Sequence, residues 1–338
     1  MHRLLGLILL GASFAVAWVW MDYRTFAATP LQLPDSGAVV VLAPGGSVAS
    51  LAADLVQKGY LRPGWAWYLR WLAWSTDRAA RLKAGEYRVE PGTGPGALLD
   101  LLVSGRVLQH ALTVIEGWTF RQMLEAVRSH EALRHTLDGL DDAGVMARLG
   151  HAGEHPEGRF YPDTYHFPRG TTDAEFLARA YRRMQSVIDE AWAGRAPDLP
   201  YASPREALVL ASIVEKESGV ASERDQIAGV FVRRLRKGMK LQADPTVIYG
   251  LGADFDGNLR RRDLEADGPY NTYARTGLPP TPICLPGGGA LRAALAPADG
   301  TALYFVAKGD GTHQFSPTLD EHQRAVTRFQ LRKSGRGE

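Results

Sequence analysis

Cysteine is nearly missing from this sequence: its 338 residues hold one, Cys284. No intramolecular disulfide can form, and a zinc site built on thiolates is excluded. A lone cysteine could be a nucleophile, but in the loop "PPTPICLPGG" it reads as a small buried hydrophobe. An excess of one charge is missing too. Lys and Arg number 39 against 37 Asp and Glu, a net +2. Charge therefore points neither to nucleic acid nor to an acidic substrate. A metal-ligand set is also lacking. His313 and His322 could be ligands, but nothing completes a site around them, and they read as satisfied surface histidines. "GDG" at 309–311 is a turn signal rather than a calcium loop. No glycine loop that would cradle a phosphate stands out. No metal and no cofactor is expected. Apolar residues make up 45% and charged residues 22%, an ordinary composition for a folded protein. The length suggests about two domains.

What is present begins with a long apolar run. "LLGLILLGASFAVAWVWM", Leu4–Met21, carries no charge and is close to the roughly 20 residues that span a bilayer. His2 and Arg3 flank one end, and Trp18 and Trp20 sit at the other, where an interfacial aromatic belt belongs. Residues 1–24 read as a transmembrane anchor. Ala15-Val16-Ala17 offers a competing signal-peptide site. The apolar run continues past it, which favours a retained anchor. Either way the positive end stays cytoplasmic and residues 25–338 lie outside the cytoplasmic membrane.

Residues 25–37, "TFAATPLQLPDSG", lack periodicity and read as a linker. A strand at 38–44 and a helix capped by Ser47 follow. A second strand, Pro-Gly turn and leucine-rich helix occupy 85–105. Between them Trp67, Trp71 and Trp74 recur at i, i+4, i+7, which predicts a packed core face rather than a sugar platform. Residues 110–130 read as a strand and a helix capped at Thr119 with Gln122. "EGRFYPDTYHFPRG" (157–170) reads as an ordered loop, with Asp163 and His166 holding it by hydrogen bonds. A long amphipathic helix runs from Thr172 to about Trp192.

"SPREALVLASIVEKESG" (203–219) is strongly punctuated. Ser203 caps, Pro204 lies in the first turn, Glu206 completes a capping box and Gly219 closes the helix. At about 100° per residue, Leu210, Ile213 and Val214 share a face. Glu217 follows at i+4 and i+3 on that face, whereas Lys216 points away and Glu215 lies at the margin. A carboxylate on a buried stripe must be paired, protonated or part of a site. Desolvation raises its pKa, and a glutamic acid protonated near neutrality can serve as a glycosidase general acid. Geometry alone leaves open a salt bridge to an arginine of "SERD" (222–225) or "RRLRKG" (233–238). The following segments favour a site. A second amphipathic helix at about 224–237 leads into "MKLQADPTVIYG", where Gln242, Asp244 and Thr246 surround a proline turn. "PYNTYARTGLPPTPICLPG" (269–287) adds Tyr270, Asn271, Thr272 and Tyr273 on a proline-stiffened loop. Hydroxyls, amides and tyrosine rings suit a sugar. The chain closes with a helix, a strand "LYFVA", a hairpin-like turn and a last helix.

"ASIVEKES", "ERDQIAGVFVRRLRKGMKLQADPTVIYGLG", "YNTYARTGLPPTPICLPG" and "LYFVAKGDGTHQFSPTLDEH" together resemble the YceG-like family, the endolytic murein transglycosylases known as MltG. The resemblance implies an α+β architecture of an N-terminal transmembrane helix, a small LysM-like βα domain at 38–108 and a mixed α+β catalytic domain at 109–335. It implies a single-pass enzyme of the bacterial inner membrane with its catalytic domain in the periplasm. The enzyme would cut nascent peptidoglycan strands between MurNAc and GlcNAc, beside penicillin-binding synthases. The family's catalytic glutamate, the second of the E-K-E-[ST] block, falls on Glu217, with Ser218 next to it. Gln242, Asp244, Thr246, Tyr270 and Asn271 are the expected substrate-positioning residues. Asp244 would be the second acid if the reaction were a hydrolysis. The rival reading is a non-catalytic peptidoglycan-binding scaffold for the synthases. A pyridoxal-phosphate lyase would need a buried lysine, and Lys216 faces away from the stripe.

Overall fold

A computed structural model describes residues 2–331. The expected domain end at 335 lies outside the described residues, as do the side chains of His2 and Arg3 on the positive flank. In chain order the elements are α1 (His2–Ala28), β1 (Ala38–Leu42), α2 (Val48–Gln57), α3 (Ala66–Ser75), β2 (Gly85–Val89), α4 (Pro95–Ser104) and β3 (Gln109–Thr113). Then come α5 (Phe120–Arg128), α6 (Asp142–Arg148), β4 (Thr164–Pro168), α7 (Asp173–Ala193), α8 (Pro204–Glu217), α9 (Arg224–Arg236) and α10 (Asp244–Leu251). α11 (Arg261–Glu265), α12 (Gly288–Leu295), β5 (Tyr304–Ala307), β6 (His313–Ser316) and α13 (Leu319–Val326) complete the chain. The mixture is α+β, with three two-stranded sheets, β1–β2, β3–β4 and β5–β6.

The chain forms two compact units. One holds the residues up to His110 together with His166–Gly170; the other holds Ala111–Tyr165 and the chain from Thr171 onward. In the first unit β1 and β2 pair antiparallel, Ala38 opposite Val89 and Leu42 opposite Gly85. Strand alternation turns Val40 and Leu42 inward beside Tyr87 and Val89. Leu51 and Leu55 of α2, Leu69 of α3 and Leu98, Leu99 and Leu102 of α4 cover them.

Two expectations fail in this unit. Residues 25–37 are not a free linker. α1 continues to Ala28, and Phe26 is fully buried against Trp65 and Tyr68, at ring centroid distances of 5.8 and 5.6 Å. Leu31 is buried as well. Nor do Trp67, Trp71 and Trp74 face the core. They are 50%, 42% and 74% exposed, and α3 instead buries Tyr68, Leu69 and Ala73. Helical spacing shows that three residues share a face, not what that face meets.

The second unit is built around α8. Every residue from Ala207 to Val214 is buried, the mark of a helix enclosed on all sides. α7, α9, α10 and α12 pack on it. Ile227, Ala228, Phe231 and Val232 of α9 and Ala290, Leu291 and Ala294 of α12 join it in one core. Gly229 permits a close crossing, since a Cβ there would stand 2.4 Å from the Ala298 carbonyl oxygen. The span read as a loop at 157–170 contains β4, whose Tyr165 and Phe167 point inward while Thr164 and His166 point outward. The proline turn at 244–246 is the first turn of α10, with Pro245 where a helix tolerates it.

The buried Phe26 carries a prediction. Phe26→Ala should destabilise the first unit by about 3–5 kcal/mol, the usual cost of deleting a buried ring. Urea unfolding followed by tryptophan fluorescence will measure it. A free linker there would show no change.

Candidate active site

α8 delivers Glu217 as its last residue. Ser203 opens the helix, its hydroxyl accepting from the Glu206 amide at 3.3 Å. The helix ends at Ser218, whose amide donates to the Val214 carbonyl at 3.0 Å before the backbone turns extended. Eight residues of enclosed helix, Ala207–Val214, thus lead to a carboxyl held at a fixed point.

The two glutamates of "EKE" have opposite surroundings. Glu215 accepts from Arg224 Nη2 at 3.1 Å and from the Gly287 amide, just before α12, at 3.0 Å. Burial still pushes its carboxyl up, opposed by those two donors. It ties α8 to α9 and α12. Glu217 is half-buried, and among the described residues no group within hydrogen-bond or ion-pair distance satisfies its carboxyl. Desolvation raises it to about 7; the nearby Asp244 charge adds to the shift and Arg234 opposes it. The C-terminal end of the helix dipole acts in the same direction as Asp244. Lys216 is exposed and reaches only the Gly117 carbonyl, at 3.5 Å.

The arginine salt bridge that helix geometry left open does not form to Glu217 among the described residues. Arg234 of α9 is buried, its Nε donating to the Leu303 carbonyl and its Nη1 to the Leu241 carbonyl, both at 2.7 Å. Its face lies 5.2 Å from the Tyr304 ring centroid. These carbonyls hold the guanidinium near enough to Glu217 to be felt electrostatically, yet outside ion-pair distance. Tyr273 completes the group. Its hydroxyl donates to Asp244 Oδ1 at 2.5 Å, and burial together with the Asp244 and Glu217 charges raises its pKa. Glu217, Asp244, Arg234 and Tyr273 therefore form one electrostatic cluster.

The other expected site residues divide. Gln242 is exposed and stands at a φ of 50°, a left-handed conformation unusual outside glycine. Its amide donates to the Thr272 carbonyl at 3.1 Å, which leaves its side chain facing outward. Ser218 is half-buried, its Oγ accepting from Arg224 Nε at 3.3 Å. Thr246, Asn271 and Tyr270 are turned to internal work, contrary to the expected substrate contact. Thr246 is fully buried, bonded to the Ala243 carbonyl at 2.7 Å and the Thr272 hydroxyl at 2.9 Å. Asn271 Nδ2 donates to the carbonyls of Asp263, Leu264 and Ala266, and its Oδ1 accepts from the amides of Tyr273 and Ala274. It shapes the loop that presents Tyr273. The Tyr270 hydroxyl is paired with Thr281 at 2.7 Å, and its ring packs on Tyr249.

Arg234 was not singled out as a site residue by sequence reasoning, and Tyr273 was named only as part of the polar loop at 269–287. Tyr273 carried a signal, its place in "PYNTY"; Arg234 carried none beyond membership of "RRLRKG". Glu157 was missed altogether. It is 4% exposed and also pushed to about 7 by burial. Its oxygens are spent on the Phe120 amide and the Tyr249 hydroxyl, at 2.9 and 3.1 Å. A raised pKa alone does not mark a reactive acid; Glu217 differs in being reachable and unsatisfied. Cys284 is buried with its thiol pushed up and donating to the Ser212 carbonyl, which suits packing rather than nucleophilic attack. His313 is paired with Glu223, at 2.7 Å, whereas the buried Nδ1 of His322 has no hydrogen-bond partner, so only the first is satisfied as expected. Among the described residues, no cluster of three or more His, Cys, Asp or Glu could hold a metal.

A carboxyl raised to about 7, a cationic neighbour and a polar loop thus meet at the end of α8 in the second unit. The comparisons agree on the family. The YceG-like family matches residues 40–328, and the chain belongs to it. An endolytic murein transglycosylase of Bacillus subtilis is 30% identical over 320 residues, covering 89% of this chain and 87% of that protein. An endolytic murein transglycosylase of Streptococcus pneumoniae is 26% identical over 95% of this chain, which spans 63% of that longer protein. The crystal structure of a YceG-like protein from Listeria monocytogenes, 28% identical, superposes with a TM-score of 0.55 over 86% of this chain and 99% of its own.

The contrast between the two glutamates is measurable. The folded Glu217 carboxyl sits near 7 and an unfolded one near 4.5. Its contribution to stability is thus full below the unfolded value and lost as pH rises through the folded one. Glu217→Gln should match wild type at about pH 5 and exceed its stability by about 2–3 kcal/mol at about pH 8. Glu215→Ala should destabilise by about 1–3 kcal/mol because it leaves the Gly287 amide without its acceptor, while Arg224 keeps Glu116. Urea denaturation at both pH values checks the pair.

Proposed function

We propose that this chain is a membrane-anchored endolytic murein transglycosylase, with Glu217 as its one catalytic acid–base. The observation that carries this reading is a half-buried carboxyl without a partner, raised to about 7 in a cluster with Asp244, Arg234 and Tyr273. Family membership and the names of the relatives support the substrate class.

In this reading protonated Glu217 donates to the oxygen bridging MurNAc C1 and GlcNAc C4. The C1–O bond breaks through an oxocarbenium-like state, and the GlcNAc hydroxyl leaves with the proton. The Glu217 carboxylate then takes the proton of the MurNAc 6-hydroxyl. That oxygen bonds to C1, closing a 1,6-anhydro ring, and Glu217 is again protonated. No water is consumed and no second acid is needed. Arg234 favours the carboxylate formed midway, and Asp244, oriented by Tyr273, favours the starting acid. Gln242 is the outward group best placed to meet a sugar hydroxyl, and Ser218 stands beside the acid.

α1 is long and apolar enough to cross a membrane, which is consistent with single-pass anchoring. The positive residues before it favour the inner membrane with the catalytic unit in the periplasm. There the substrate is the strand being made by penicillin-binding synthases, the partners that the family resemblance implies. Residues 38–108 are read as a LysM-like subdomain on their antiparallel strand pair and intervening helices.

Glu217→Gln should lower release of 1,6-anhydro-MurNAc ends from uncrosslinked glycan by about 10²–10⁴-fold, the usual worth of a general acid. Mass spectrometry of the products decides. Undiminished release rejects the assignment, and reducing ends in place of anhydro ends would mean hydrolysis. In wild type, kcat/KM should fall about tenfold per pH unit above about 7.

A further inference from the structure

The exposed tryptophan face of α3 has no use in the chemistry above, yet it has a definite neighbour. Tyr68 of α3 donates to the Val19 carbonyl of α1 at 3.2 Å. The Trp65 indole donates to Asp22 at 3.3 Å, and the Trp71 ring stands edge-on to Tyr23 with centroids 4.9 Å apart. α3 therefore lies alongside the last turns of α1. A cleft of about 450 Å³ between the two helices is lined almost wholly by apolar groups, among them Ala15, Val16, Val19, Trp20, Trp67 and Trp71. Asp22 is the first charge after the apolar run. Ala15 lies seven residues before it, about 10 Å deeper along the helix axis. Trp67 and Trp71 thus stand at the depth of residues that a spanning α1 must leave in lipid.

We infer that α3 is an interfacial membrane helix whose Trp67, Trp71 and Trp74 insert into the headgroup–acyl boundary of the bilayer that α1 crosses. The inference rests on the reading of α1 as an anchor. Three features select lipid as the occupant. The tryptophans form one stripe beside α1, continuous with its exposed surface from Leu4 to Met21. Tryptophan is the residue preferred at that boundary, with an apolar body and an indole N–H that stays wet. The one charge on α3 is Arg70, exposed at the edge of the stripe, and a cation there suits anionic headgroups. The consequence is mechanical: the first unit is held against the leaflet by two helices, and is not free to swing about the end of α1.

Site-directed spin labelling of the full chain tests this. In a Cys284→Ala background, Ile8→Cys, Val39→Cys and Trp74→Cys are labelled singly and reconstituted in vesicles of phosphatidylethanolamine and phosphatidylglycerol. Ile8 reports the anchor, Val39 an exposed position of the same unit on β1, and Trp74 the stripe. Collision rates with dissolved oxygen and with an aqueous nickel chelate are compared. The expected result is that positions 8 and 74 both favour oxygen severalfold while position 39 favours nickel. Position 74 favouring nickel while position 8 favours oxygen overturns the inference and leaves the anchor intact. Position 8 favouring nickel removes the anchor, and the inference with it. Position 74 shielded from both reagents, with dipolar broadening, identifies a second copy of the chain as the occupant and also overturns it.

Discussion

Everything at the site depends on taking one carboxyl out of water without giving it a partner. That is costly for the ionised form and nearly free for the neutral one. A helix enclosed over Ala207–Val214 supplies the rigidity. Without it, Glu217 could swing outward and recover its ordinary acidity. The core of α7, α8, α9, α10 and α12 therefore sets a protonation state as well as a stability.

The surrounding charges adjust that state without abolishing it. Arg234 would pair with Glu217 if it could reach, and the acid would then be lost. It cannot reach, because the carbonyls of Leu241 and Leu303 hold its donors and the Tyr304 ring covers its face. Asp244 is similarly held by Tyr273. The adjacent Glu215 shows the alternative outcome: on the same helix, two residues earlier, it is tied to Arg224 and the Gly287 amide and serves as a clamp. Partner geometry, and not residue type, separates the two roles. Glu157 makes the same point from the interior, where burial opposed by hydrogen bonds to both oxygens gives a structural acid.

Glu217 was legible in the sequence because helix periodicity is a local rule and punctuation fixed the helix ends. Asp244 and Gln242 were legible as polar groups at a chain reversal. Thr246 and Asn271 look identical by that criterion, and the fold turns them inward to bond their own loop. Only tertiary structure separates the cases. Arg234 was hidden because its role is set by carbonyls from two distant segments. β4 had an alternating signal in Tyr165 and Phe167, but it is short and carries Pro168. The tryptophans of α3 were legible as a stripe; what the stripe faces depends on α1 running on to Ala28, past the point where the apolar run ends.

The most direct test of the central claim is the titration of Glu217 itself, followed as the infrared C=O stretch of its protonated carboxyl in a wild-type minus Glu217→Gln difference spectrum. The account predicts a band that persists to neutrality and disappears with a midpoint near 7. A midpoint in the ordinary carboxylate range, near about 4.5, would mean the group is solvated or paired, and would contradict it.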